Sequence, residues 1–89
     1  MYNVLLTRRA QKEYEELTPS DLAKIDAALG RLKAEPRPRG VKKLQGNIHR
    51  VRIGDWRIIY TIFDKDRVIL TGKITRRSED TCEGVKDLF

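Results

Sequence analysis

Seven cations fall in one short stretch of this chain: Arg37, Arg39, Lys42, Lys43, Arg50, Arg52 and Arg57, with Asp55 the only acid among them. Arg76 and Arg77 follow further on. Side chains of this kind hold phosphate. The planar guanidinium grips a pair of anionic oxygens with two hydrogen bonds and stays charged at any physiological pH, while lysine adds a compact point charge. The cluster therefore suits nucleic acid, an acidic protein or an anionic lipid surface. The whole-chain balance agrees, with 19 basic against 13 acidic side chains and a formal net charge of +6. The competing explanation is that arginines on an exposed strand keep it soluble and discourage edge pairing. Near-absence of balancing acids weighs against that explanation for the cluster as a whole.

Other chemistry has less to work with. One cysteine, Cys82, and one histidine, His49, make no internal disulfide and a poor metal set, so no metal or other cofactor is expected. Cys82 has no suitable base near it in sequence and reads as an ordinary thiol. His49 stands at a strand start, where it is either a proton acceptor or a structural residue. No apolar run approaches the roughly 20 residues that span a bilayer. The first residues, Met1-Tyr2-Asn3-Val4, lack the basic start and apolar stretch of a signal peptide, so the expected compartment is the cytoplasm and no membrane contact is expected.

The cluster needs a scaffold. At 89 residues, 39% hydrophobic and 36% charged, the composition fits one soluble domain over residues 1–89. Val4-Leu5-Leu6 reads as a first strand. Thr7 caps a helix over residues 8–17, with Ala10, Tyr14 and Leu17 on one face. Ser20 is the expected cap of a second helix, whose Leu22, Ile25, Leu29 and Leu32 form one stripe and which must stop before Pro36. Residues 36–40 form a stiff basic loop. From His49 the period changes to two, placing Val51 and Ile53 on one face and Arg50 and Arg52 on the other. Gly54-Asp55 and Asp64-Lys65-Asp66 are turn signals. The order is strand, two helices, then a meander of three antiparallel strands, with Ser78 capping a short C-terminal helix or tail. This is an α+β architecture, with a helical hairpin on one face of a small twisted antiparallel sheet and the arginines on the open, concave face. Trp56 and Tyr60 share a face and read as core rather than as stacking platforms.

Lys43-Leu44-Gln45-Gly46, followed by Arg50-Val51-Arg52-Ile53-Gly54-Asp55-Trp56-Arg57-Ile58-Ile59-Tyr60, resembles the signature of the RelE/ParE toxin superfamily. Thr75-Arg76-Arg77-Ser78-Glu79-Asp80-Thr81 is similar to that family's closing segment. The resemblance implies the same hairpin-on-sheet fold and the toxin half of a type II toxin–antitoxin system, with a cognate antitoxin protein as partner. RelE-like members cut mRNA in the ribosomal A site without a metal, whereas ParE-like members poison DNA gyrase. The uninterrupted Gly54-to-Tyr60 string and the preceding Lys-Leu-Gln-Gly stand nearer to the RelE-like members.

By that resemblance Arg50 and Arg52 bear on the scissile phosphate and Arg57 stabilises the transition state. Arg76, with Arg77 beside it, matches the C-terminal catalytic arginine. Lys42, Lys43, Arg37 and Arg39 are the expected RNA-binding residues. Two departures stand out. Cys82 occupies the place where the family often has a tyrosine, and arginine is a poor base because its pKa exceeds about 12. Proton abstraction then falls to Lys42, Lys43, His49 or Glu79, or to no side chain. A catalytically degenerate binding module is therefore the third reading, beside the ribosome-dependent nuclease and the gyrase inhibitor.

Overall fold

The computed structural model describes residues 1–76. Among them the chain runs β1 (Asn3–Leu6), α1 (Arg8–Glu15), α2 (Pro19–Ala34), β2 (Lys42–Gln45), β3 (Ile48–Ile53), β4 (Trp56–Phe63) and β5 (Val68–Arg76). The architecture is α+β, as the order of elements implies. The expected C-terminal helix or tail from Ser78, and with it Arg77, Glu79 and Cys82, lies outside the described residues.

The helices begin where hydroxyls can cap them. Thr7 accepts from the Ala10 amide at 3.2 Å, as expected. For α2 the cap is Thr18, not Ser20: its hydroxyl accepts from the Asp21 amide at 3.2 Å. The reason is Pro19. Proline breaks a helix interior but suits the first turn, where its fixed φ is already helical and its missing N–H would be unpaired anyway. The helix therefore starts at Pro19 rather than after it. Ile25, Leu29 and Leu32 of the expected stripe are buried against the sheet.

The sheet has the order β1-β5-β4-β3-β2. It departs from the expected antiparallel meander in two ways. First, β1 lies parallel to β5, with Val4 beside Ile69 and Leu5 beside Leu70, so the sheet is mixed. A parallel neighbour requires a long connection, and here everything from α1 to β4 forms it. Second, between the basic loop of residues 36–40 and the strand from His49 lies an added edge strand, β2, which pairs Lys42 with Arg50 and Lys43 with His49. Its Lys-Lys-Leu-Gln sequence has no apolar alternation to announce it, and its charge suits an edge. Gly46 reverses the chain at a φ of 54°, a conformation that favours glycine.

Ile58, Tyr60 and Ile62 of β4 point into the core with Ile69 and Ile74 of β5. Ile69 and Ile74 differ by five positions, an odd step that strict alternation would send to opposite faces. A bulge resolves this. Ile59 pairs with Lys73 and Tyr60 with Thr71, which leaves Gly72 as the extra residue on β5. Tyr60 is wholly buried, donates its hydroxyl to the Pro36 carbonyl at 2.8 Å, and has its pKa pushed up to about 12 by burial. Where β1 ends, α1 takes over the edge of β5: the Ile74 amide donates to Glu13 Oε1 at 2.9 Å.

Candidate functional site

Pairing across the ladders sets two rows on the sheet face away from the helices. Lys42 stands opposite Arg50, Arg50 opposite Ile59, and Ile59 opposite Lys73. In the second row Arg52 faces Arg57 and Arg57 faces Thr75. With strands roughly 4.8 Å apart, the first row spans about 15 Å. Lys42, Arg50, Arg52, Arg57 and Lys73 thus share one patch, and the rows hold no acid. Like charges directly opposite destabilise a sheet, which disfavours such an arrangement for its own sake.

The expectation of a fully displayed arginine face needs correction. Arg52 and Lys42 are exposed, but Arg50 and Arg57 are only 7% and 6% exposed. The burial reaches the charged ends themselves: Arg50 Nε and both Nε and Nη1 of Arg57 are buried. The other candidates are dispersed. Lys43 pairs with His49 and so belongs to the opposite face. His49 is buried there, stacked on Tyr60 with ring centres 5.8 Å apart and its Nδ1 2.8 Å from the Asn47 carbonyl oxygen. It faces the core side, away from the cation rows.

Arg37 is engaged elsewhere. It grips Asp64 through two hydrogen bonds of 3.2 and 2.9 Å, and the Tyr2 hydroxyl donates to the same carboxylate at 2.8 Å. Arg37 and then Tyr2 hold the Asp64 pKa down, at about 2. This ties the residue 36–40 loop to the β4–β5 turn. Arg39 stays near the site: with Arg52, Arg31 and Ile53 it lines a cavity of about 70 Å³ beside β3.

Arg76 lies on the helix side. It pairs with Trp56, while its neighbour Thr75 pairs with Arg57. The Arg76 guanidinium carbon lies 5.1 Å from the centre of the Trp56 ring, and Nη2 lies 3.5 Å from Asp21 Oδ2. The Asp21 carboxyl is held below the usual carboxylate range by the Thr18 hydroxyl first, then by the Trp56 indole, Arg76 and Lys24, against an opposing effect of burial.

Two residues of this region were not picked out from sequence. Lys73 joins the first row only because of the Gly72 bulge, and the odd spacing of Ile69 and Ile74 was the available signal. Asp21 looked like an ordinary first-turn acid of a helix. Among the described residues no group of three or more His, Cys, Asp and Glu side chains comes together to hold a metal. No helix among them is long and apolar enough to cross a membrane.

A family model described as the ParE toxin of the type II toxin–antitoxin system parDE matches residues 4–81. The protein named RelE1 from Methanocaldococcus jannaschii is 37% identical over 81 residues, covering 85% of this chain and 90% of that protein. The fold matches the archaeal RelE–RelB complex from Pyrococcus horikoshii with a TM-score of 0.79 at 30% identity, covering 89% of this chain and 98% of that one. It also matches the toxin–antitoxin complex RelBE2 from Mycobacterium tuberculosis with a TM-score of 0.73 at 29% identity, covering 85% and 98%.

Proposed function

The chain belongs to the RelE/ParE family of type II toxin–antitoxin toxins, and on that premise we propose that it is a metal-independent endoribonuclease that cuts mRNA on the ribosome. The observation that supports this reading best is the pair of cross-strand cation rows, Lys42–Arg50–Lys73 and Arg52–Arg57, on one sheet face.

The reaction is a transesterification. The ribose 2′-oxygen forms a bond to the adjacent phosphorus and the bond to the 5′-oxygen breaks, giving a 2′,3′-cyclic phosphate and a 5′-hydroxyl. Arg52 and Arg57, directly opposed, clamp the non-bridging oxygens and offset the charge that grows on them. Arg50 and Lys42 fix the neighbouring backbone, which holds the attacking and leaving oxygens in line. Guanidinium groups do not accept protons at neutral pH. The 2′-hydroxyl proton therefore passes to solvent, and a lysine ammonium of the first row donates to the departing 5′-oxygen. A positioned base contributes about 10²–10⁴-fold, so turnover is slow unless the ribosome orients the substrate.

The partner is a cognate antitoxin that covers the cation rows, and the compartment is the cytoplasm, where ribosomes and mRNA are found. The structural relatives include a RelE–RelB complex and the RelBE2 complex, which supports such a partner. The second reading, gyrase inhibition, is favoured by one observation: the matching family model is described as ParE. Purified protein added to ribosomes programmed with a defined mRNA separates the two. Cyclic-phosphate ends produced only on translated message support the nuclease. Intact message together with blocked gyrase supercoiling supports the second reading.

A further inference from the structure

Asp21 is a point where three elements meet. It lies in the first turn of α2, accepts a hydrogen bond from the Thr18 hydroxyl at 3.0 Å, and pairs with Arg76 from the end of β5 at 3.5 Å. Trp56, at the start of β4, lies under the same guanidinium. These residues line a cavity of about 310 Å³ whose other charged members are Glu13 and Glu16. Among the described residues Arg76 is the one cation there, beside three carboxylates.

We propose that Asp21 and Trp56 are positioning residues for Arg76: they hold its guanidinium on the helix side of the sheet while the site is empty and release it to a phosphate when RNA binds beside Arg57. This rests on the ribonuclease reading. Three observations carry it. The first is placement. Arg76 is the last residue of β5 and its partner Trp56 is the chain neighbour of Arg57, so the backbone of Arg76 lies one strand and one residue from the cation row. A long side chain at a sheet end can be redirected without moving the ladder.

The second is strength. The Arg76 side chain is 59% exposed and its pair with Asp21 is long. Exposed ion pairs and exposed cation–π contacts are each weak, worth at most a few-fold in an equilibrium. A phosphate that accepts the fork in two hydrogen bonds displaces them. The third is that the holder does not depend on what it holds. Asp21 is fixed by the Thr18 hydroxyl and is only 15% exposed, so the carboxylate keeps its place when Arg76 leaves.

Trp56 is the only tryptophan in the chain, so the emission comes from this one ring. The test titrates the full chain with a fluorescein-labelled 12-nucleotide RNA carrying 2′-O-methyl groups, which cannot be cut. Anisotropy follows binding and Trp56 emission follows Arg76. Wild type is expected to shift its emission with the same midpoint as the anisotropy, and Arg76→Gln to bind without the shift. Asp21→Asn keeps an acceptor for Thr18 but loses the charge. It is expected to show the shifted emission before RNA is added and to bind two- to tenfold tighter, with Asp21→Glu restoring wild-type behaviour. RNA binding with unchanged Trp56 emission, or an equal shift in Arg76→Gln, overturns the exchange and leaves the ribonuclease reading standing. No rise in anisotropy at all also overturns the exchange, while the ribonuclease reading stands or falls by cleavage on programmed ribosomes.

Discussion

Arg52 and Arg57 stand directly opposite one another across the β3–β4 ladder, one exposed and the other almost wholly buried. Two like charges in cross-strand register cost stability, on the order of 0.2–1 kcal/mol. Relief of that repulsion is the first expected outcome. Arg52→Thr, which replaces the exposed partner with a good strand former, is expected to raise stability by about that amount in urea unfolding. In the same variant RNA cleavage falls by about 10²–10³-fold, the usual loss when one preorganised donor to a developing anion is removed. Stability and activity moving in opposite directions would separate a site residue from a scaffold residue.

The start of α2 offers a second check. Thr18→Ala removes the observed cap and is expected to cost about 1 kcal/mol, whereas Ser20→Ala, at the position favoured by sequence, is expected to change little. Thermal unfolding followed by circular dichroism distinguishes them. Because Thr18 also holds Asp21, only the first variant should alter Trp56 emission.

Acid sensitivity should follow Asp64. Its pKa lies at about 2 in the folded protein against an ordinary value of 3.8, so the contribution of the Arg37–Asp64–Tyr2 cluster is complete above pH 3.8. It is lost as pH falls through about 2, once the folded form is protonated as well. Unfolding midpoints of wild type and Asp64→Asn, measured side by side, should differ most near pH 5 and converge toward pH 2. A constant gap would show that the carboxylate's charge is not what anchors the loop.

Tyr60 gives the alkaline counterpart. Its pKa of about 12 lies above the ordinary 10.0, so the buried neutral hydroxyl stabilises the fold fully below pH 10 and that contribution is lost as pH rises from 10 to 12. Tyr60→Phe removes the hydrogen bond to Pro36 and should cost about 1 kcal/mol at neutral pH. The variant should also lose less stability than wild type between pH 10 and 12 in chemical denaturation.

What the sequence revealed and what it hid divide along physical lines. The stripe of Ile25, Leu29 and Leu32, the turn at Gly54-Asp55 and the alternation of Arg50 and Arg52 against Val51 and Ile53 are local periodicities, and each appears where it was read. The parallel pairing of β1 with β5 joins residues more than 60 positions apart and leaves no local trace. β2 is too short and too charged to carry an alternation. Lys73 is placed by a bulge, and the contacts of Arg76 with Trp56 and Asp21 are ones that only the folded chain creates. The cations of this face were thus legible as types, and Arg50 and Arg52 also by face, while the burial of Arg50 and Arg57 and the place of Lys73 were not.

The central claim is that the paired Arg52–Arg57 face cuts translated RNA. Its most direct test is induction of the protein in a tightly controlled host, with new 5′ ends mapped across all messages beside an Arg52→Ala/Arg57→Ala variant of equal abundance. Cuts inside codons that require translation and vanish in the variant are the predicted result. Growth arrest with intact messages, or an unchanged cutting pattern in the variant, would contradict it.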